Sequence, residues 1–253
     1  MLGLSLSTCP RVPEYDPVDP VDEDNTALWQ ASYAGVPWAG TPSEGPSGSY
    51  SLTSTSAPSV GTELVNGYAP AVFDGVSNIL NGPNIPLLVS PSGYLFFALV
   101  KISSIPTNAV GSINNVALAR STMSVPRFMI TLRDNGGDPL VYFVHRDDVT
   151  TGGADAYKVA TARIKLHEPQ LILAGFSGSS IGLGVNRPPS NQVVAAPLVE
   201  AVTDTLRYGS HRQSTSFLPF EMLATGFRNT AQTYGQCMGL IEDTRQRYEV
   251  ALT

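Results

Sequence analysis

The chain has 253 residues, of which 42% are hydrophobic and only 14% charged, and its formal net charge is −6. An acidic chain without a Lys/Arg cluster argues against nucleic-acid binding, which needs a basic face to displace counterions from phosphates. No stretch approaches the roughly 18 apolar residues of a membrane span, so no membrane partner is predicted. The 23 Gly and 20 Pro residues favour many short strands and turns over helices.

The N-terminal residues 1–27 are predicted to form an extended arm, and residues 28–253 the globular domain. Within the arm, residues 13–24 carry three prolines and six acidic side chains, a composition that cannot bury itself and is typical of polyproline-II-like chain. Two interpretations stay open, a floppy leader or an arm draped over a neighbouring subunit. The second would place its contacts at Tyr15, Asp16, Pro17, Val18 and Pro20.

The next segment concentrates aromatic residues in a loop-rich stretch: Trp29, Tyr33, Trp38 and Tyr50. An aromatic platform for sugar rings would use such side chains, and Trp38 and Tyr50 are its candidates here. Packing within the core and loops would use the same side chains, and for most of them it is the commoner role.

Residues 70–80, PAVFDGVSNIL, predict a short strand at Val72 and Phe73, followed by a tight turn at Asp74-Gly75. This P…FDG…hL pattern follows an early Trp, and the chain closes with a late strand, a short loop and a helix ending in R-x-R-Y. Together these features resemble the concanavalin A-like (laminin G-like) β-sandwich domains, including those of bacteriophage virion proteins. The resemblance covers residues 29–248 and implies an all-β, antiparallel jelly-roll sandwich with one C-terminal helix.

Apolar and alternating runs predict the strands of this sandwich. The strongest is 94–102, YLFFALVKI, which is apolar on both faces and must therefore be covered twice, by another layer of this chain or by a partner. Pro219 predicts an edge or irregular position for the last strand. Others are predicted at 127–133 (with Phe128, Ile130 and Leu132 inward), 140–145, 157–166, 171–176, 181–185, 206–210 and 217–224.

Two turns supply further candidate contacts for a glycan or a protein partner. The loop DNGGDP, 134–139, joins two strands, and its Asp134, Asn135 and Asp138 have the oxygen ligands of a calcium loop. No Glu closes the run, so turn chemistry explains it better. Asp134 and Asn135 remain candidates, as does Asn186 at the end of 181–185, a strand whose glycine face admits a backbone or ligand or marks a bend.

Residues 229–249 are predicted to form the one helix, capped by Asn229 or Thr230. Its apolar stripe is predicted to contain Tyr234, Met238, Ile241 and Tyr248, with Cys237 at the border. Cys237 and Cys9 are either joined by a disulfide or are two buried thiols, the usual state of isolated cysteines.

No motif predicts catalysis, a cofactor or a metal site. The E-x-D-x-x-E run of glycosidases with this fold is absent, and His145, His167 and His211 have no zinc-ligand spacing. The resemblance therefore implies a non-enzymatic structural component of a bacteriophage virion, a capsid decoration or tail accessory protein assembled in the bacterial host cytoplasm. Its partners would be other virion proteins and further copies of itself, with a trimer favoured. The alternatives are a lectin-type domain for host-surface polysaccharide and, third, a glycoside hydrolase of the same fold.

Overall fold

The computed structural model describes residues 27–30, 53–85, 93–106, 116–121, 128–134, 136–146, 157–190, 193–195, 204–212, 215–228 and 230–252. In this part of the chain two antiparallel sheets stack face to face, and one helix follows them, as the sequence predicts for an all-β sandwich. The N-terminal arm, including its five candidate contacts, lies outside the described residues. The division of the chain at residue 27 therefore stays a prediction.

The first sheet is built around two long central strands. In spatial order its described strands are β13 (Val193–Val194), β12 (Ser180–Val185), β11 (Pro169–Phe176), β6 (Tyr94–Ile102), β17 (Pro219–Arg228), β4 (Ala71–Asp74) and β3 (Ser59–Val60). β1 (Ala27–Gln30) pairs with the C-terminal half of β17, while β4 pairs with its N-terminal half.

The second sheet covers the inner face of the first. Its described strands are, in spatial order, β10 (Tyr157–Arg163), β9 (Pro139–Arg146), β8 (Phe128–Asp134), β7 (Val116–Ser121), β14 (Asp204–Tyr208), β5 (Ile79–Ile85) and β2 (Thr53–Ser56). A separate short pair joins β15 (Ser210–Arg212) and β16 (Thr215–Phe217). The predicted inward phase of β8 is confirmed, since Phe128, Ile130 and Leu132 are fully buried.

Strand β6 is covered on both faces by this chain itself. Phe96 on its inner face lies 5.0 Å, ring centroid to ring centroid, from Phe128 of the second sheet. The outer face carries Leu95, Phe97 and Leu99, which are equally buried. The helix α1 (Tyr234–Tyr248) packs on this side, where the Tyr248 hydroxyl donates to the carbonyl oxygen of Leu223 in β17 at 3.3 Å. Of the two covers that the sequence allowed, the structure shows the intramolecular one.

The helix begins later than the sequence predicts and presents a different stripe. Its cap is Thr233, not Asn229 or Thr230: the Thr233 side chain accepts from the Gln236 amide, and the Gln236 side chain accepts from the Thr233 amide in return. Asn229 itself lies outside the described residues. The buried side chains are Cys237, Ile241, Thr244 and Tyr248, whereas the predicted stripe residues Tyr234 and Met238 are 72% and 41% exposed.

The predicted stripe is confirmed for Ile241 and Tyr248 and wrong for Tyr234 and Met238. The helix turns Cys237 and Thr244 toward the sheet instead, and their small side chains allow a closer approach. Cys237 is buried and carries a free thiol, and burial raises its pKa against the opposing effect of the Arg228 guanidinium. Cys9 lies outside the described residues.

The predicted turn at Asp74-Gly75 is present, and the structure shows that it carries the chain from the first sheet to the second. The Asp74 carboxylate accepts hydrogen bonds from the backbone amides of Val76, Ser77 and Asn78 at 2.8–3.1 Å. Partial burial alone would raise the pKa of Asp74, but these backbone bonds and the Ser77 hydroxyl outweigh it and lower the pKa to about 2. The carboxylate therefore organises the link between the two sheets.

Pro219 predicts an edge or an irregular position for the last strand. The edge position was wrong. β17 lies inside the first sheet, between β6 on one side and β4 and β1 on the other, and it extends to Arg228. Pro219 is tolerated because it is the first residue of the strand, where a missing amide breaks no continuous ladder.

Candidate functional site

The structure describes two of the five residues predicted to contact a glycan or partner. Trp38, Tyr50 and Asn135 lie outside the described residues. Asp134 closes the β8–β9 turn, where its carboxylate accepts from the Gly137 amide at 2.7 Å. Asn186 has a left-handed backbone with φ 57°, and its side-chain oxygen accepts from the Leu171 amide at 2.8 Å. The Asp134 side chain therefore stabilises its own turn, and the Asn186 side chain holds the end of β12 to β11.

These two turns stand next to one open cleft, called here the edge cleft. It lies where β10, the end strand of the second sheet, runs alongside β12 and β13 of the first. Its volume is about 760 Å³, and it is lined by Asp138, Leu140, Thr161, Ala162, Arg163, Ile164, Lys165, Gln170, Val185 and Arg187. Asp138 belongs to the turn of Asp134, and Arg187 follows Asn186, so the tertiary structure brings the two sequence regions together.

The edge cleft is lined by both apolar and polar side chains. Arg163 forms an ion pair with Asp138, with 3.2 Å between Nη2 and Oδ2. Gln170 is 4% exposed and fixes the loop that follows β10, because its Oε1 accepts from the Lys165 amide at 2.9 Å. A cleft lined by both apolar and hydrogen-bonding side chains suits a small polar ligand.

Sequence reasoning missed most of this lining. The alternation in residues 157–166 is visible in the sequence and predicts Ala160, Ala162, Ile164 and Leu166 as inward. The first three are buried and Leu166 is half-buried, while Thr161 and Arg163 are exposed. What the pattern could not show is that this strand ends its sheet beside the Arg187 turn. That neighbourhood joins residues far apart in the chain.

A second, smaller cleft of about 190 Å³ lies between α1 and the first sheet. Its polar groups already bond to one another: the Ser177 and Ser180 hydroxyls are 2.9 Å apart, and the Gln232 Oε1 accepts from Arg228 at 2.8 Å. Cys237 lies in its wall. The edge cleft is the better candidate for ligand binding because it is the larger of the two and adjoins both of the described candidate residues.

His145 lies in the interior, where it packs against other core side chains. His145 is fully buried, its ring stacks on Phe176 with centroids 4.5 Å apart, and its Nδ1 lies 2.9 Å from the Tyr94 hydroxyl. Burial raises the pKa of Tyr94 well above its ordinary value. Within the described ranges, no three His, Cys, Asp or Glu side chains are grouped to hold a metal ion. No described helix is long and apolar enough to cross a membrane.

Comparisons with solved structures place the fold. The chain superposes on the receptor-binding domain of botulinum neurotoxin D with a TM-score of 0.63 and 11% identity, covering 89% of this chain and 54% of that one. The ligand-binding domain of botulinum neurotoxin serotype D in complex with N-acetylneuraminic acid gives a TM-score of 0.62 at 11% identity, over 87% and 51%. The receptor-binding domain of the C/D mosaic serotype gives 0.60 at 13% identity, over 89% and 51%.

This likeness establishes a shared β-sandwich fold. The chain spans about half the length of these neurotoxin domains, and the sugar complex is a property of the larger protein. No protein-family model matches the sequence. A search of curated proteins also finds no match.

Proposed function

We propose that this protein is a non-enzymatic carbohydrate-binding module whose glycan site is the edge cleft. The observation that carries the proposal is the cleft itself: an open cavity of about 760 Å³ at the sandwich edge, lined by both polar and apolar side chains. Its size suits one or two sugar rings. The solved structures of the same fold add support, since one of them was determined with N-acetylneuraminic acid bound.

The side chains of the cleft match what sugar hydroxyls need. Asp138 accepts hydrogen bonds, Arg163 donates them, and Thr161 does both. Leu140 and Val185 offer apolar surface to the C–H face of a ring. Because these groups stand on strands and pinned turns, little of the site has to become ordered when a ligand binds.

A glycan array with the full chain tests the proposal. We expect binding that is lost in Thr161→Trp, whose large ring fills the cleft from an exposed strand position, and kept in Thr230→Trp, which adds the same ring at an exposed site before α1. A wild-type chain that binds no glycan, or a Thr161→Trp variant that binds as wild type does, would contradict the proposal. Release of reducing sugar from a bound polysaccharide would instead indicate the hydrolase.

A structural role in a bacteriophage virion is the second proposal, and a surface feature favours it. The neighbouring end strands β10 and β13 expose apolar side chains, with Tyr157 40%, Val159 41% and Val194 82% exposed. Exposed apolar strand edges are typical of contact surfaces between subunits. The neurotoxin domains named above say nothing of a virion, of assembly in a bacterial host or of a trimer.

Mass measurement in solution and co-purification test this role. A stable trimer whose formation is lost in Val194→Asp, or attachment to phage particles, would support it. A monomeric chain that remains free of particles in infected cells would contradict it.

A further inference from the structure

The edge cleft is cationic in an acidic protein. The chain as a whole has a formal net charge of −6. Three of the charged side chains that line the cleft are cations, Arg163, Lys165 and Arg187, and one is an anion, Asp138. The local charge is thus opposite in sign to that of the protein, which points to an anionic ligand.

Among the three cations that line the edge cleft, Arg187 is the one without an ion-pair partner among the described residues. Arg163 is paired with Asp138 at 3.2 Å, and Lys165 is paired with Glu168 at 3.2 Å. Within the described part of the chain, no carboxylate forms an ion pair with Arg187. Arg187 is exposed and lines the cleft, and a guanidinium can bind a carboxylate through two parallel hydrogen bonds.

The backbone that presents Arg187 is held rigidly. On one side, Asn186 exchanges two hydrogen bonds with Leu171, both 2.8 Å long, one through its backbone amide and one through its side chain. On the other side, Pro188 restricts the chain and is buried. The carbonyl of Arg187 lies so close over Gly184 that a Cβ there would overlap it. Only the side chain must be ordered on binding, which preserves affinity.

We propose that the edge cleft selects acidic glycans, and that Arg187 is the residue that binds their carboxylate. The proposal rests on the function proposed above and adds the chemical class of the ligand. Sialic acids and uronic acids both carry the required carboxylate on a sugar ring. Arginine suits this role better than lysine, because its planar fork matches the two carboxylate oxygens.

Two pairs of probes isolate the charge from the rest of the sugar: sialyllactose with its methyl ester, and trigalacturonate with its trimethyl ester. Dissociation constants measured by titration calorimetry at low ionic strength should favour at least one free acid over its ester about tenfold. High ionic strength should reduce this preference. A preference within the sialyllactose pair would identify a sialic acid as the ligand, and a preference within the trigalacturonate pair would identify a uronic acid.

Three variants of the full chain assign the preference to its residue. Arg187→Gln should abolish the difference between acid and ester, and Arg187→Lys should retain only part of it. Arg245→Gln removes an arginine that is exposed on α1 and paired with Glu242 at 2.9 Å, so it should leave the preference unchanged. Thermal unfolding confirms that each variant is folded.

The possible outcomes distinguish a failure of this inference from a failure of the proposed carbohydrate-binding function. Glycans that bind equally well as acid and ester, or only when neutral, would overturn the acidic specificity while leaving a carbohydrate-binding module. A preference for the acid that survives in Arg187→Gln would overturn the role of Arg187. Failure of all glycans, acidic and neutral, to bind would overturn the proposed function and this inference together.

Discussion

Replacing Gly184 with alanine should destabilise the protein strongly, because the turn that follows β12 folds back onto this residue. A Cβ at position 184 would overlap the carbonyl oxygen of Arg187 and would lie 2.8 Å from the carbonyl carbon and oxygen of Pro188. Both are backbone contacts, so no side chain can rotate away. The turn would have to move off the strand.

The magnitude follows from what that movement breaks. Displacing the turn strains the two hydrogen bonds between Asn186 and Leu171, each contributing about 1 kcal/mol. Overpacking against Pro188 adds about 1–3 kcal/mol. The restricted unfolded chain of the alanine variant returns about 0.4–1 kcal/mol. We therefore expect the free energy of unfolding to fall by about 2–4 kcal/mol.

Urea denaturation followed by far-UV circular dichroism measures the change, and Gly239→Ala provides the matched control. Gly239 lies on the exposed side of α1, where a Cβ would meet nothing within 4 Å. The same substitution should therefore stabilise the helix there by up to about 1 kcal/mol. A Gly184→Ala variant as stable as wild type would refute the close contact between this turn and β12, and with it the rigid presentation of Arg187.

Three further predictions concern the helix, the sheet-to-sheet turn and the buried thiol. Thr233→Ala should lower the free energy of unfolding by about 1 kcal/mol through loss of the capping box, while Thr230→Ala should change it little; equal effects in urea denaturation would contradict the cap assignment. Because the folded-state pKa of Asp74 is about 2, below its ordinary 3.8, its stabilisation is complete above that ordinary value and is lost as the pH falls through 2. Asp74→Asn should therefore cost about 1 kcal/mol near neutral pH, since solvent screens this exposed group, and clearly less near pH 2; a pH-independent difference would exclude the carboxylate as its source. In a Cys9→Ser background, Cys237 should react with a thiol reagent only as fast as the protein opens, and rapid labelling of the native chain would show that the helix does not cover it.

Local patterns predicted much of the fold. Phe128, Ile130 and Leu132 alternate as a half-buried strand must, and they face inward as predicted. The Asp74-Gly75 pair predicted its turn because an Asp carboxylate bonds to amides that follow within a few residues. These features depend on neighbours along the chain, which the sequence displays directly.

Other predictions failed where distant segments decide. Pro219 predicted an edge or an irregular position, and the edge was wrong: as the first residue of β17 it leaves the strand free to run inside the sheet. Tyr234 and Met238 were assigned to the buried stripe by their hydropathy. The sheet beneath α1 instead accommodates Cys237 and Thr244, whose small side chains allow close approach.

The candidate site shows the same division. The sequence named Asp134 and Asn186 as candidates, but in the structure the Asp134 side chain bonds within its turn and that of Asn186 bonds to β11. Asp138, in the same turn as Asp134, and Arg187, which follows Asn186, line one cleft. No pattern in either segment refers to the other. Their proximity follows from β10 ending its sheet beside β12, which is a property of strand order.

By itself the sequence determined the fold class, most strands and the need to cover β6 twice, because side-chain alternation and apolar content report burial locally. Only the tertiary structure decided what covers β6, where β17 lies, and which charges meet at the edge cleft. The physical reason is that sheet order and helix docking bring together residues far apart in the chain. Their contacts leave no periodicity in either segment.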